Sequence, residues 1–287
     1  NGQGGLFDVV VARDFDATAE VFLTYAEPRD GGAATALAVA RLEDDRLMEL
    51  RVIFRQEPAA AGGVHFGGRV VEAPDGTLFL TLGERGERDT ARALDNHRGK
   101  VVRVRRDGTP PPDNPFVGVT GARPEIWSYG HRNPQGAALG SDGTLWLVEH
   151  GPRGGDEVNR PQPGADYGWP LVTHGEEYGG GPIGIGAEAE GVEPPLHVWV
   201  PSIAPSGLVV YSGRLWPDWT ASLFTGSLKS DFLSRLPGAD PEGDLGAEER
   251  LFEGVFTRIR DVREAPDGAI WFIAEGEGAV WRVTPAP

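Results

Sequence analysis

D-G-T-L-F-L-T-L (75–82), D-G-T-L-W-L-V-E (142–149) and D-G-A-I-W-F-I-A (267–274) are one phrase written three times. Each opens on Asp-Gly, a turn signal whose glycine tolerates positive φ, and runs into a short apolar stretch rich in aromatic and β-branched residues. Two looser copies, A-E-V-F-L-T-Y (19–25) and A-S-L-F-T-G-S (221–227), bring the series to five. Between them lie further strand-like runs, K-V-V-R-V (100–104), L-V-V-Y (208–211) and A-V-W-R-V (279–283). The best helical candidate, D-T-A-R-A-L-D-N-H (89–97), has room for a couple of turns at most. The chain therefore reads as an all-β meander. Its repeat recurs at roughly 45 to 80 residues, the length of a four-stranded propeller blade with variable loops.

The 287 residues are read as one domain, 1–287, because no composition break divides them. Forty-two glycines and 24 prolines are spread between apolar runs, and eight tryptophans argue for a packed fold. Lys and Arg number 27 against 43 Asp and Glu, a net charge of −16, so nucleic acid and anionic membranes are excluded as general partners. Any anionic ligand must meet a local cationic patch. With no cysteine there is no disulfide, thiolate metal site or thiol nucleophile, and no apolar run is long enough to insert in a membrane.

Polar residues concentrate in W-S-Y-G-H-R-N-P-Q-G (127–136), W-L-V-E-H-G-P-R-G-G-D-E-V-N (146–159) and D-Y-G-W-P (166–170). Glycine and proline break these stretches into loops, where function usually lies. On residue type alone, His65 in H-F-G-G-R is as readily a structural histidine as a base, and Glu84 as readily a solvated charge as its partner. Asp156 and Glu157 read as surface charge, since no D-x-D-x-D-G calcium loop surrounds them. In V-F-T-R-I-R-D-V the strand period of two sends Arg258 and Arg260 to one face, opposite Ile259. Two like charges there invite an anion, and Lys229 in G-S-L-K could join them.

Taken in order, G-H-R-N-P-Q-G, E-H-G-P-R-G-G-D-E and D-Y-G-W-P resemble the soluble aldose sugar dehydrogenases of the glucose/sorbosone dehydrogenase family. G-Q-G-G-L (2–6), H-F-G-G-R (65–69), D-N-P-F (113–116), G-S-L-K (226–229) and R-I-R-D (258–261) agree with it, so the likeness runs through the whole chain. The resemblance implies a six-bladed β-propeller. Because G-Q-G-G-L-F-D-V-V matches the family after most of its first blade, most of that blade is expected to be absent here.

The resemblance also implies a chemistry. The anomeric carbon of an aldose would be oxidised to the aldonolactone, with hydride transfer to pyrroloquinoline quinone and electrons passed on to an external acceptor. His65 matches the family's general base, Glu84 the carboxylate that orients it, and Arg132 a cation near the reacting oxygen. Gln3, Arg132, Asn133, Tyr178, Lys229, Arg258 and Arg260 match contacts to the quinone, a tricarboxylate. Gly151 and Pro152 match main-chain ligands of one Ca2+, and Glu157 with the main chain of Tyr167 match ligands of a second. A periplasmic or secreted protein, monomeric or homodimeric, is implied as well. Two rivals are a calcium-dependent propeller lactonase, which would leave Lys229, Arg258 and Arg260 unexplained, and a non-catalytic binding propeller.

Overall fold

The computed structural model describes residues 2–240 and 244–286. They build five antiparallel sheets in which each strand pairs with the next in the chain. The first comprises β1 (Leu6–Val11), β2 (Glu20–Arg29), β3 (Gly32–Glu43) and β4 (Arg46–Arg55), and the second β5 (Gly67–Glu72), β6 (Leu78–Leu82), β7 (Lys100–Val104) and β8 (Ile126–Tyr129). The third holds β9 (Pro134–Leu139), β10 (Leu145–Glu149), β11 (Asp156–Asn159) and β12 (His197–Trp199). The fourth holds β13 (Pro205–Val210), β14 (Leu223–Ser227), β15 (Leu233–Leu236) and β16 (Glu249–Leu251), and the last β17 (Ile259–Glu264), β18 (Ile270–Ala274) and β19 (Ala279–Val283). Helix is confined to Phe15–Thr18 and the 3-10 turns Arg88–Thr90 and Pro217–Trp219, and no helix is long and apolar enough to cross a membrane.

The repeated phrase has a structural meaning: its five copies are β2, β6, β10, β14 and β18, the second strand of every sheet. In the three Asp-Gly copies the aspartate Oδ1 accepts the backbone N–H two residues on, from Thr77, Thr144 and Ala269. The glycines, at φ 79°, 89° and 86°, close the turn by donating to Ala73, Gly140 and Ala265. A side chain would strain that conformation, which is why the phrase keeps Gly. The strands of the phrase are buried along their whole length in β6, β10 and β14, and β6 and β10 accordingly read as mostly apolar runs rather than alternations.

The all-β propeller class holds, but the expected blade count does not. There are five sheets, not six with most of the first missing. The opening stretch had been matched to the tail of a blade, yet Leu6–Val11 is itself a first strand, paired with β2 from Leu6↔Tyr25 to Val11↔Val21. Residues 6–55 thus complete a four-stranded sheet. One strand before the repeated phrase is all that a sheet requires.

The residues fall into two compact units: 1–134 with 161–173 and 183–193, and 135–160 with 174–182 and 194–287. In the first, Phe22, Leu37, Val39 and Phe54 meet Val70, Leu78, Leu80, Leu82, Val102 and Val104 in one core. In the second, Trp146, Val148, Val158 and Trp199 pack with Leu208, Leu223, Phe232 and Leu236, while Tyr211 and Phe224 pack with Ile259, Val262, Ile270 and Phe272. Each large apolar side chain buried in this way contributes about 1.5–3 kcal/mol.

Candidate functional site

In the first unit β6 ends at Leu82, and the chain leaves it through Gly83 to Glu84. A Cβ on Gly83 would lie 2.0 Å from the carbonyl oxygen of His65, so glycine lets the two segments touch. That contact puts the Glu84 Oε1 on His65 Nδ1. The Glu84 side chain is 2% exposed and the His65 side chain 16%. Glu84 Oε2 is buried without a hydrogen-bond partner. A carboxylate against Nδ1 fixes the proton there and leaves Nε2 as the basic nitrogen, and Nε2 meets no partner among the described residues. His65 itself is left-handed, at φ 50°.

The expected cofactor residues of this unit surround the pair. Gln3 accepts the His65 N–H through Oε1 at 2.8 Å and donates its own N–H to Gly63 at 2.7 Å. Asn133, buried, accepts the Gly67 N–H through Oδ1 at 3.3 Å. The buried Arg132 accepts the Glu84 N–H on its carbonyl at 2.9 Å, and its guanidinium lies 5.3 Å from the Trp169 ring centroid. Gln3, His65, Glu84, Arg132 and Asn133 are therefore assembled as one constellation. Tyr167 lies in the same unit, buried, with its ring stacked on His131 at 4.7 Å.

The second unit carries the other candidates. Glu157 on β11 sits opposite Glu149 on β10, and Asn159 Nδ2 donates to both carboxylates, at 3.0 Å to Glu149 and 3.2 Å to Glu157. The Glu157 carboxyl is pushed up to about 8, first by desolvation and then by the Glu149 charge. Asn159 Oδ1 is buried with no partner. Two facing carboxylates and an orphaned amide oxygen are a donor set suited to a hard, oxygen-loving cation such as calcium. Among the described residues no three His, Asp or Glu side chains gather around a metal, so main-chain carbonyls and water would complete the shell. Gly151 and Pro152 lie in the tight turn just before β11. Buried Asp156 holds that turn, accepting the N–H of Gly151 at 2.9 Å and of Ala204 at 2.7 Å.

Arg258 and Arg260 do share a face, with Ile259 buried behind them, and both reach Glu275 Oε2, at 3.5 Å and 2.7 Å. Arg258 also donates to the Leu228 carbonyl at 3.2 Å, next to the exposed Lys229, whose ammonium has no ion pair among the described residues. Two arginines on one carboxylate, with Lys229 following the carbonyl that Arg258 reaches, form a cationic cluster that fits an organic polycarboxylate. Tyr178 is 72% exposed on the 174–182 loop, and among the described residues no hydrogen bond ties it to these cations.

Sequence reasoning missed several members of these groups. Asn159 was within reach, because a strand period of two places it on the face of Glu157. Glu149 and Glu275 were not, since only the strand register brings them to Glu157 and to the arginines. Arg85 stands in the polar stretch E-R-G-E-R-D (84–89), where nothing in the sequence marks it as buried, yet it is 1% exposed.

The profile of the glucose/sorbosone dehydrogenase family matches residues 1–282. The aldose sugar dehydrogenase YliI of Escherichia coli (strain K12) is 45% identical over 293 residues, covering 99% of this chain and 78% of that protein. A crystal structure of a glucose dehydrogenase superposes with a TM-score of 0.95 at 48% identity, covering 100% of this chain and 84% of the other. The PQQ-bound form of an aldose sugar dehydrogenase from Streptomyces coelicolor superposes with a TM-score of 0.75 at 27% identity, over 100% of this chain and 78% of that one. By this extent of match, the chain belongs to the glucose/sorbosone dehydrogenase family.

Proposed function

We propose that the protein is a sugar dehydrogenase that oxidises the anomeric carbon of an aldose to the aldonolactone, using pyrroloquinoline quinone and calcium and delivering electrons to an external acceptor. The observation that carries this reading is the His65–Glu84 pair, with Nδ1 engaged by a buried carboxylate and Nε2 meeting no partner among the described residues. Bound, the quinone supplies the two-electron acceptor for the hydride on the anomeric carbon.

The chain's own part is positioning and proton transfer. His65 Nε2 takes the proton of the anomeric hydroxyl, and Glu84 stabilises the imidazolium that results. Arg132, in the same constellation, would stabilise the oxygen charge that develops on the quinone as the hydride is transferred, without reorganisation. Lys229, Arg258 and Arg260 would hold carboxylates of the cofactor in a chain whose net charge would otherwise repel them. Glu149, Glu157 and Asn159 would hold one calcium ion, and main-chain oxygens of Gly151 and Pro152 would hold another. The PQQ-bound relative supports the choice of cofactor, and the two sugar dehydrogenases named above support the choice of substrate.

The test is to add calcium and pyrroloquinoline quinone to the apoprotein and follow quinone reduction with a panel of aldoses. Reduction that needs both additions supports the reading. Lactone hydrolysis without any quinone contradicts it.

A further inference from the structure

We propose that Arg85 is the positioning residue for His65, locking the loop that carries the base; this rests on the reading of His65 as the general base. Arg85 is buried, and among the described residues its guanidinium makes no ion pair with a carboxylate. Instead its Nε donates to the Val64 carbonyl at 2.8 Å, one terminal nitrogen to the Ala33 carbonyl at 2.6 Å, and the other to the Gly62 carbonyl. The guanidinium lies 3.5 Å from the centroid of the Phe66 ring. Its backbone N–H donates to the His65 carbonyl at 3.3 Å. One residue therefore grips positions 62, 64, 65 and 66, while Glu84 before it in sequence takes the imidazole.

His65 needs such a grip. A non-glycine residue at φ 50° costs on the order of 1–3 kcal/mol and persists only where its surroundings over-determine it. Gln3 on its N–H and Thr35 on the Phe66 carbonyl, at 2.8 Å, help. Among the described residues, Arg85 spans both sides of His65, from the Val64 carbonyl to the Phe66 ring. The residue type follows from geometry: a guanidinium offers five donors in a rigid planar fork with a face that stacks on an aromatic ring, whereas an ammonium has neither. Burial pushes Arg85 down to about 10, with the Arg98 charge adding to the effect, so it stays charged at neutral pH. An unpaired buried cation is costly to keep. A role in fixing the base accounts for its retention better than packing, which an apolar side chain would serve.

The experiment compares Arg85→Met and Arg85→Lys with the unmodified holoprotein by two readouts. The first is single-turnover reduction of bound quinone by aldose; the second is amide hydrogen exchange of residues 62–66, above all the His65 N–H. The Met variant is expected to bind quinone normally, to lose at least tenfold in rate and to exchange the His65 amide at least tenfold faster. The Lys variant, keeping charge without the fork, is expected to fall between. Native rate with native exchange in either folded variant overturns the proposal, and so does faster exchange spread evenly over the chain, which marks general destabilisation. Where the Met variant does not fold, the Lys variant decides. If a His65→Ala control keeps its rate, the reading of His65 as base fails, and exchange at residues 62–66 still judges Arg85.

Discussion

Glu84 and His65, nineteen positions apart, meet through one carboxylate oxygen and Nδ1, and nothing else polar among the described residues touches the far nitrogen of the imidazole. The arrangement orients a base while leaving its working nitrogen open. It is produced by a strand end, a glycine and a left-handed loop, none of which is chemical in itself.

The cationic group in the second unit gives the first prediction. Replacing Arg258 and Arg260 together with alanine should weaken quinone binding by roughly a hundredfold, since hydrogen bonds to charged groups are worth about 1.5–3 kcal/mol each. Replacing Glu275 with glutamine should tighten it, because the arginines lose a competing carboxylate. Calorimetric titration of the quinone into each variant checks both signs.

Calcium should raise the thermal midpoint of the apoprotein. A ligand of the native state at a hundred times its dissociation constant contributes about 2.7 kcal/mol. Glu157→Gln and Asn159→Ala should each reduce the shift, as they remove a carboxylate and the orphaned oxygen. Melting curves with and without chelator measure it, and identical midpoints would count against the site.

Lys100 predicts a pH dependence of stability. Fully buried, it donates to the carbonyls of Ala91, at 2.7 Å, and Arg98, at 2.5 Å. Desolvation pushes it down to about 7, against the opposing charges of Asp95 and Asp166. Between about 7 and the ordinary 10.5 the unfolded chain holds a proton that the native chain has released. Native stability should therefore rise with pH through that window, by about 1.4 kcal/mol per unit, and the penalty of the buried charge is complete below it. Denaturant unfolding at pH 7 and pH 9 should show this rise in the unmodified protein, and Lys100→Met should remove it.

Much of the fold was legible because the repeated phrase marks the second strand of each sheet, which is buried along its whole length in β6, β10 and β14. The phrase alone gives the right count, five; the expectation of six rests on the family resemblance, which assigns the opening stretch to an earlier blade, whereas β1 pairs with β2 as the first strand of its own sheet. In the site, Arg258 and Arg260 could be paired because they sit two apart, whereas Glu275 reaches them only through the β17–β18 register, Ile259↔Ala274. Arg85 lay hidden for a different reason. Composition cannot separate a buried guanidinium that serves main-chain carbonyls from the exposed charges beside it.

The central claim is that His65 removes the proton from the sugar. Its most direct test is sugar-driven reduction of bound quinone in a single turnover, before any external acceptor is present, for His65→Ala against the unmodified protein. Loss of a general base typically lowers such a step by about 10²- to 10⁴-fold. The account predicts a fall in that range with quinone affinity nearly unchanged; an alanine variant that reduces its quinone at the native rate would contradict it.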